Sequence, residues 1–151
     1  MNDRDVGNFV FNTVKGLRFG WDSVLAHSEE IIKILGPRLL IISDPGLSKI
    51  GLYKPLVDNL INRGTEVRIF NQVEQDPTLR NLEMAIDSGA GFLATGILGF
   101  GGGSPMDVAK LTALVLGSGE NIESILGVNK VKGPRLPLIL VPTTAGTGSE
   151  V

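Results

Sequence analysis

The chain has 151 residues, 42% of them hydrophobic and 20% charged, which is the size of one ordinary domain, able to bury roughly 70% of its unfolded surface without disulfides or a structural metal. It has no cysteine, which excludes disulfide scaffolds, cysteine-ligated metal sites and cysteine nucleophiles. Fourteen basic and sixteen acidic residues leave a net charge of −2, too weak a field to favour nucleic acid or an anionic membrane, and the single histidine, His27, rules out a site built from several histidines of this chain.

The N-terminus is charged and lacks the apolar core of a secretory signal, so a cytoplasmic protein is expected. Asn8–Phe11 and Leu17–Gly20 read as two short strands. Val24, Leu25, Ile31, Ile32 and Leu35 fall at helical spacing, and Gly36-Pro37 stops that helix. Arg38–Ser43 is a compact apolar run, the mark of a buried parallel strand. Leu52, Leu56, Val57, Leu60 and Ile61 predict a second helix closed by Arg63-Gly64. Glu66–Phe70 reads as a strand, Pro77–Ser88 as a helix, Leu93–Phe100 as a strand, Pro105–Leu116 as a helix and Leu136–Val141 as a last strand. The nineteen residues Ser88–Met106 carry no charge, but seven of them are glycine. They read as a buried strand and a glycine turn, not as a membrane span. The alternation predicts an α/β fold: a Rossmann-like, mostly parallel sheet with helices on both faces and a short N-terminal strand pair. No linker or repeat divides the chain. A domain seldom ends in a Gly/Thr loop just past a buried strand, so a further segment is expected to follow.

Glycine is the compositional outlier, with 20 residues. The segment Ile97-Leu-Gly-Phe-Gly-Gly-Gly-Ser-Pro-Met-Asp-Val-Ala-Lys110 runs a strand through Gly101, Gly102 and Gly103 straight into a helix. In open α/β sheets ligands sit at the carboxyl ends of strands. A helix N-terminus there offers free N–H groups and a partial positive charge, and glycine lets a phosphate approach the backbone. A helix cap alone would explain Ser104 as N-cap, Pro105 at the first helical position and Asp107 as the capping-box acid. It would not explain three consecutive glycines, each of which adds to the entropy cost of folding. The Walker pattern is absent, and the usual dinucleotide fingerprint is incomplete.

A second polar cluster, Pro142-Thr143-Thr144-Ala145-Gly146-Thr147-Gly148-Ser149, follows another strand. Its hydroxyls suit phosphate, ribose or carboxamide, although a plain polar loop has the same composition. Asp44 ends a strand, where a carboxylate can accept from ribose hydroxyls and repel a 2′-phosphate, or can simply cap a helix. Asp76-Pro77-Thr78 is either a helix start or a polar contact near a base.

Together, Gly-Gly-Gly-Ser-Pro-Met-Asp-Val-Ala-Lys at 101–110 and Leu-Pro-Leu-Ile-Leu-Val-Pro-Thr-Thr-Ala-Gly-Thr-Gly-Ser-Glu-Val at 136–151 resemble the iron-containing (group III) alcohol dehydrogenase family. Phe19-Gly20 and Ser43-Asp44 fit its pattern in order. The resemblance covers essentially the whole chain and implies that residues 1–151 form the family's NAD-binding domain, without the helical metal-binding domain. It implies that Gly102, Gly103 and Ser104 hold the pyrophosphate, that Asp107 orders that turn or touches the cofactor, and that Thr143, Thr144 and Thr147 line the pyrophosphate and nicotinamide end. Asp44 would contact the adenosine ribose and favour NAD over NADP. Asp76 stands where many relatives have Asn, and Ala94-Thr95 where many have an acid. The implied activity is alcohol/aldehyde interconversion by hydride transfer at Fe²⁺ or Zn²⁺ held by residues outside this chain. No catalytic or metal-binding residue is assigned here, the chain alone is expected to be inactive, and the N-terminal strands could pair in a homodimer. The alternatives are a related glycerol dehydrogenase or maleylacetate reductase, or a nucleotide-binding or dimerising module without catalysis.

Overall fold

The structure, a computed structural model, describes residues 14–125, 127 and 130–151. Its elements in order are α1 (Ser23–Ala26), α2 (Ser28–Leu35), β1 (Arg38–Ile42), α3 (Pro45–Ile50), α4 (Lys54–Asn62), β2 (Glu66–Phe70), α5 (Leu79–Phe92), β3 (Gly96–Gly101), α6 (Gly103–Ser118), α7 (Ile122–Ile125) and β4 (Leu138–Pro142). Four parallel strands form one sheet in the order β2-β1-β3-β4. The expected α/β architecture is present. No helix among the described residues is long and apolar enough to cross a membrane.

Alternation along the strands sorts the core into two layers. Leu39, Ile41, Leu98 and Phe100 face α2 and α4, where they meet Ile31, Leu35, Leu56 and Leu60. Leu40, Ile42 and Ile97 face α5 and α6, where they meet Leu82, Ala85, Val108, Ala109 and Ala113. A strand buried on both faces cannot alternate apolar with polar residues, which is why Arg38–Ile42 is apolar at almost every position. Tyr53 and Phe100 pack edge to face at 5.8 Å between ring centroids.

Several boundaries differ from those the spacing predicts. The first helix breaks at His27, whose backbone leaves the helical region; His27 Nδ1 lies 2.7 Å from the Ser23 carbonyl, and the Ser28 hydroxyl donates to the Leu25 carbonyl. The second predicted helix is α4, and a short helix that the spacing does not predict, α3, precedes it and ends at Gly51 in the left-handed region. Helix α5 does not end at Ser88 but runs through Gly89 and Gly91 to Phe92. Gly89 is there for close approach: a Cβ would lie 3.1 Å from Leu40 Cδ2 and would collide with Leu116 of α6. Strand β3 accordingly starts at Gly96, because Leu93 serves as the left-handed C-cap of α5. Leu17–Gly20 is not a strand. Its backbone joins no ladder among the described residues, and Leu17 and Phe19 are exposed. Its expected partner, Asn8–Phe11, lies outside the described residues.

At the edge of the sheet away from the strands' carboxyl ends, Glu120 closes the loop after α6. Its carboxylate accepts from the backbone N–H of Gly133 (3.1 Å) and Lys132 (3.3 Å). The Gly133 amide, chiefly, holds its pKa below the usual carboxylate value. A depressed folded-state pKa contributes stability above the unfolded value and loses it as the pH falls through the folded one. Replacing Glu120 by Gln should therefore flatten the acid limb of the stability–pH curve measured by urea denaturation, leaving the neutral-to-alkaline part parallel to wild type. An unchanged acid limb would contradict this role.

Candidate functional site

The strand order places the site. The chain leaves β1 outward to β2, then crosses to β3 on the other side of β1. The connections after β1 and β3 therefore diverge, and a crevice opens between them at their carboxyl ends. Asp44 follows β1 at this crevice, the turn Gly101–Gly103 follows β3, and Thr143–Ser149 follows β4.

Asp44 is the N-cap of α3: its Oδ1 accepts from the Leu47 N–H at 2.9 Å. The capping alternative is thus realised, yet it uses only one oxygen. Asp44 Oδ2 lies toward the glycine turn, 3.4 Å from where a Cβ on Gly101 would stand. Gly101 itself has φ +154°, and a side chain there would strike Pro105.

The glycine turn differs from the capping box that the residue types suggest. The N-cap of α6 is Gly102, and the helix begins at Gly103. Ser104 and Pro105 are consequently the second and third helical residues, and no side chain caps the helix. Without a Cβ at 101–103 the backbone turns into the helix two residues earlier than a Ser104 cap would allow. The opening N–H groups of α6, which have no intrahelical acceptor, are left uncapped. The Ser104 hydroxyl is spent elsewhere, donating to the Gln75 carbonyl. Asp107 accepts from the Ser149 hydroxyl (3.0 Å) and lies 3.8 Å from Lys110 Nζ.

The threonine loop folds over this turn. The Thr143 N–H donates to the Gly101 carbonyl at 2.9 Å. A Cβ on Gly102 would lie 3.3 Å from Thr144 Oγ1, and one on Gly103 3.5 Å from Thr147 Cβ and 3.4 Å from Ser149 Oγ. The Thr147 hydroxyl donates to Glu150 Oε2 (2.9 Å) and accepts from the Ser149 N–H (3.2 Å). Glu150's own backbone amide, followed by Thr147, lowers its pKa. Lys110 reaches from α6 to the Val151 carbonyl at 2.8 Å. An open hollow of about 430 Å³ lies beside the loop, lined by Pro142, Thr143, Thr144, Ala145, Gly146 and Glu150.

Asp76 is exposed and makes no hydrogen bond among the described residues. It does not start the helix: Thr78 is the N-cap of α5 and accepts from the Asn81 N–H at 3.2 Å. The structure therefore brings together Asp44, Gly101, Gly102, Gly103, Ser104, Asp107, Thr143, Thr144 and Thr147, with Asp76 one residue from the Ser104 contact. Ser149, named in the second polar cluster, also builds the site, as do Lys110, Gln75 and Asn81, which were not singled out by their types. Asn81 had a signal: a polar residue at a core-facing position of an amphipathic helix. His27 is at the α1–α2 junction. Among the described residues no group of three or more His, Asp or Glu side chains could hold a metal ion.

Truncating Asp44 should cost a helix cap. Asp44→Ala should lower stability by about 1 kcal/mol, whereas Asp44→Asn, a good N-cap, should stay within about 0.5 kcal/mol of wild type. Chemical denaturation of both variants checks this; equal losses would mean that the charge, not the cap, is what matters.

The sequence matches the iron-containing alcohol dehydrogenase family over residues 15–151. A curated relative, sulfoacetaldehyde reductase of Bilophila wadsworthia, is 37% identical over 143 residues, covering 95% of this chain and 37% of that protein. The crystal structure of an iron-containing alcohol dehydrogenase from Thermotoga maritima is 35% identical, with TM-score 0.72 over 85% of this chain and 36% of that one. Sulfoacetaldehyde reductase from Bifidobacterium kashiwanohense, solved in complex with NAD⁺, is 25% identical, with TM-score 0.77 over 95% of this chain and 39% of that one. The chain thus spans little more than a third of the length of such relatives, and it belongs to the iron-containing alcohol dehydrogenase family.

Proposed function

We propose that this chain is the dinucleotide-binding part of an NAD-dependent oxidoreductase that interconverts an alcohol and an aldehyde. The observation that carries this reading is the uncapped start of α6 beneath the threonine loop. Gly102 and Gly103 leave a cradle that side chains would fill, and hydroxyls of Thr144, Thr147 and Ser149 rim it. A pyrophosphate suits such a site, because backbone N–H groups and the helix dipole favour a dianion that needs no lysine.

The residues then divide the work. Gly101, Gly102, Gly103 and Ser104 present backbone to the pyrophosphate. Thr143 and Thr144 add hydroxyl donors toward the nicotinamide end, which Thr147 also lines while it donates to Glu150. Asp107 holds the threonine loop through Ser149. Asp44, with one oxygen committed to α3, has Oδ2 for the adenosine ribose, where its charge disfavours a 2′-phosphate. Asp76 lies toward the adenosine side. NAD, when bound, supplies the hydride acceptor or donor. The described residues do not gather a metal-ligand set. The Fe²⁺ or Zn²⁺ of the family's chemistry is accordingly assigned to the rest of the protein, and turnover is expected only from the whole protein, in the cytoplasm and as a homodimer.

Calorimetric titration with NADH and NADPH tests the reading. NADH should bind at least tenfold more tightly than NADPH, about 1.4 kcal/mol. Asp44→Asn should shrink that ratio below about threefold, and Gly102→Val should abolish NADH binding while leaving the far-ultraviolet dichroism of the fold unchanged. No binding of either nucleotide to wild type would sink the proposal, and equal binding would remove Asp44 as the selector.

A further inference from the structure

The connection from β2 to α5 contributes only Asp76 to that reading. Residues 71–78 form no regular element, yet their backbone is fastened at Val73 and Gln75. The Val73 side chain is 1% exposed, inserted into the core layer shared with Leu82 and Ala85. The Val73 N–H donates to the Ser43 carbonyl at 3.2 Å, tying the loop to the residue before Asp44. The Gln75 carbonyl accepts from the Ser104 hydroxyl, tying it to the first turn of α6. Between these two ties stands Asn81. Its side chain is 3% exposed, and its amide addresses the loop backbone twice: Nδ2 donates to the Gln72 carbonyl (2.8 Å), and Oδ1 accepts from the Glu74 N–H (3.2 Å).

A buried primary amide that matches one donor and one acceptor of the same short loop specifies that loop's conformation, because any other leaves buried polar groups unpaired. The loop so specified bridges the carboxyl end of β1 to the phosphate-binding turn, and it carries Asp76 at its outer end. We propose that Asn81 is a positioning residue for the nucleotide: it holds residues 72–76 as the adenosine-side wall of the crevice, and Ser104 couples that wall to the pyrophosphate turn. The inference rests on the dinucleotide reading above. It assigns a function to a residue that touches no ligand and sits on the buried face of a helix.

The coupling predicts a ligand-resolved effect. Asn81→Leu keeps the volume and removes both hydrogen bonds, while Asn81→Asp keeps the acceptor for Glu74 and turns the donor to Gln72 into a repulsion. Both should weaken ADP-ribose binding to the chain at least tenfold by calorimetry. Binding of inorganic pyrophosphate, followed by ³¹P line broadening, should stay within about twofold, because the amides of α6 are untouched. General loosening of the fold would depress both ligands alike, and that result, or no change in either, overturns the role of Asn81. Failure of wild type to bind ADP-ribose overturns the dinucleotide reading itself and this inference with it. Should neither variant fold, hydrogen exchange of wild type decides: ADP-ribose should slow exchange at Val73–Gln75, and unchanged exchange there overturns the proposal.

Discussion

Helix α6 leaves strand β3 with a single residue between them, and the rest of the site follows from that junction. It exists because nothing projects from positions 99, 101 and 102. A Cβ on Gly99 would stand 2.8 Å from Ala109 Cβ and 2.9 Å from Leu140 Cδ2, and one on Gly101 would stand 2.7 Å from Pro105. With those atoms absent, the helix lies directly on β3 and β4 and opens its first turn at the carboxyl edge of the sheet. The threonine loop closes over Gly103, where an added Cβ would meet Thr147 and Ser149 at ordinary van der Waals distance. The end of the crevice above α6 is thereby made of backbone, which no side-chain rotamer can displace.

Around that junction the loops are cross-tied. Val73 holds to Ser43, Gln75 to Ser104, Thr143 to Gly101 and Ser149 to Asp107. Each tie joins segments that belong to different strand ends, so the carboxyl ends of all four strands share one geometry. On the proposed reading, folding and ligand recognition draw on the same atoms here. Asp44 shows this most plainly: one carboxylate oxygen caps α3, and the other lies toward the glycine turn. A helix cap and the ribose acceptor we propose, which residue type alone presents as competing explanations, would use the two oxygens of one side chain. Ser104 resolves differently. The cap that its type suggests is absent, and its hydroxyl fixes a neighbouring loop.

Much of this was legible in the order of residues. The runs at Arg38–Ile42, Glu66–Phe70 and Leu138–Pro142 became strands: Arg38–Ile42, central and covered on both faces, is apolar at almost every position, whereas the edge strand Glu66–Phe70 keeps Glu66 and Arg68 exposed. The two glycine- and threonine-rich segments were recognisable because each directly follows such a run. What escaped were features set by distant neighbours. Gly89 looked like a helix terminus, whereas the close approach of α5 to α6 and β1 demands a residue without a side chain inside the helix. The capping box at Ser104 fitted every residue type, but the conformational freedom of Gly102 moved the helix start upstream. Asn81 could not be linked to residues 72–75 without knowing that α5 folds back over them. The short helix α7 carries no strong periodic pattern. Leu17–Gly20 had strand-like residues but no ladder to join among those described.

The central claim is that the uncapped amides of α6 and the hydroxyls above them receive the cofactor's phosphates. Titrating NADH into isotopically labelled chain and following the backbone amide resonances tests it most directly. The account predicts saturable shifts centred on Gly102, Gly103 and Ser104, accompanied by Thr144 and Thr147. Saturable shifts confined to another surface, with Gly102–Ser104 unmoved, would contradict it.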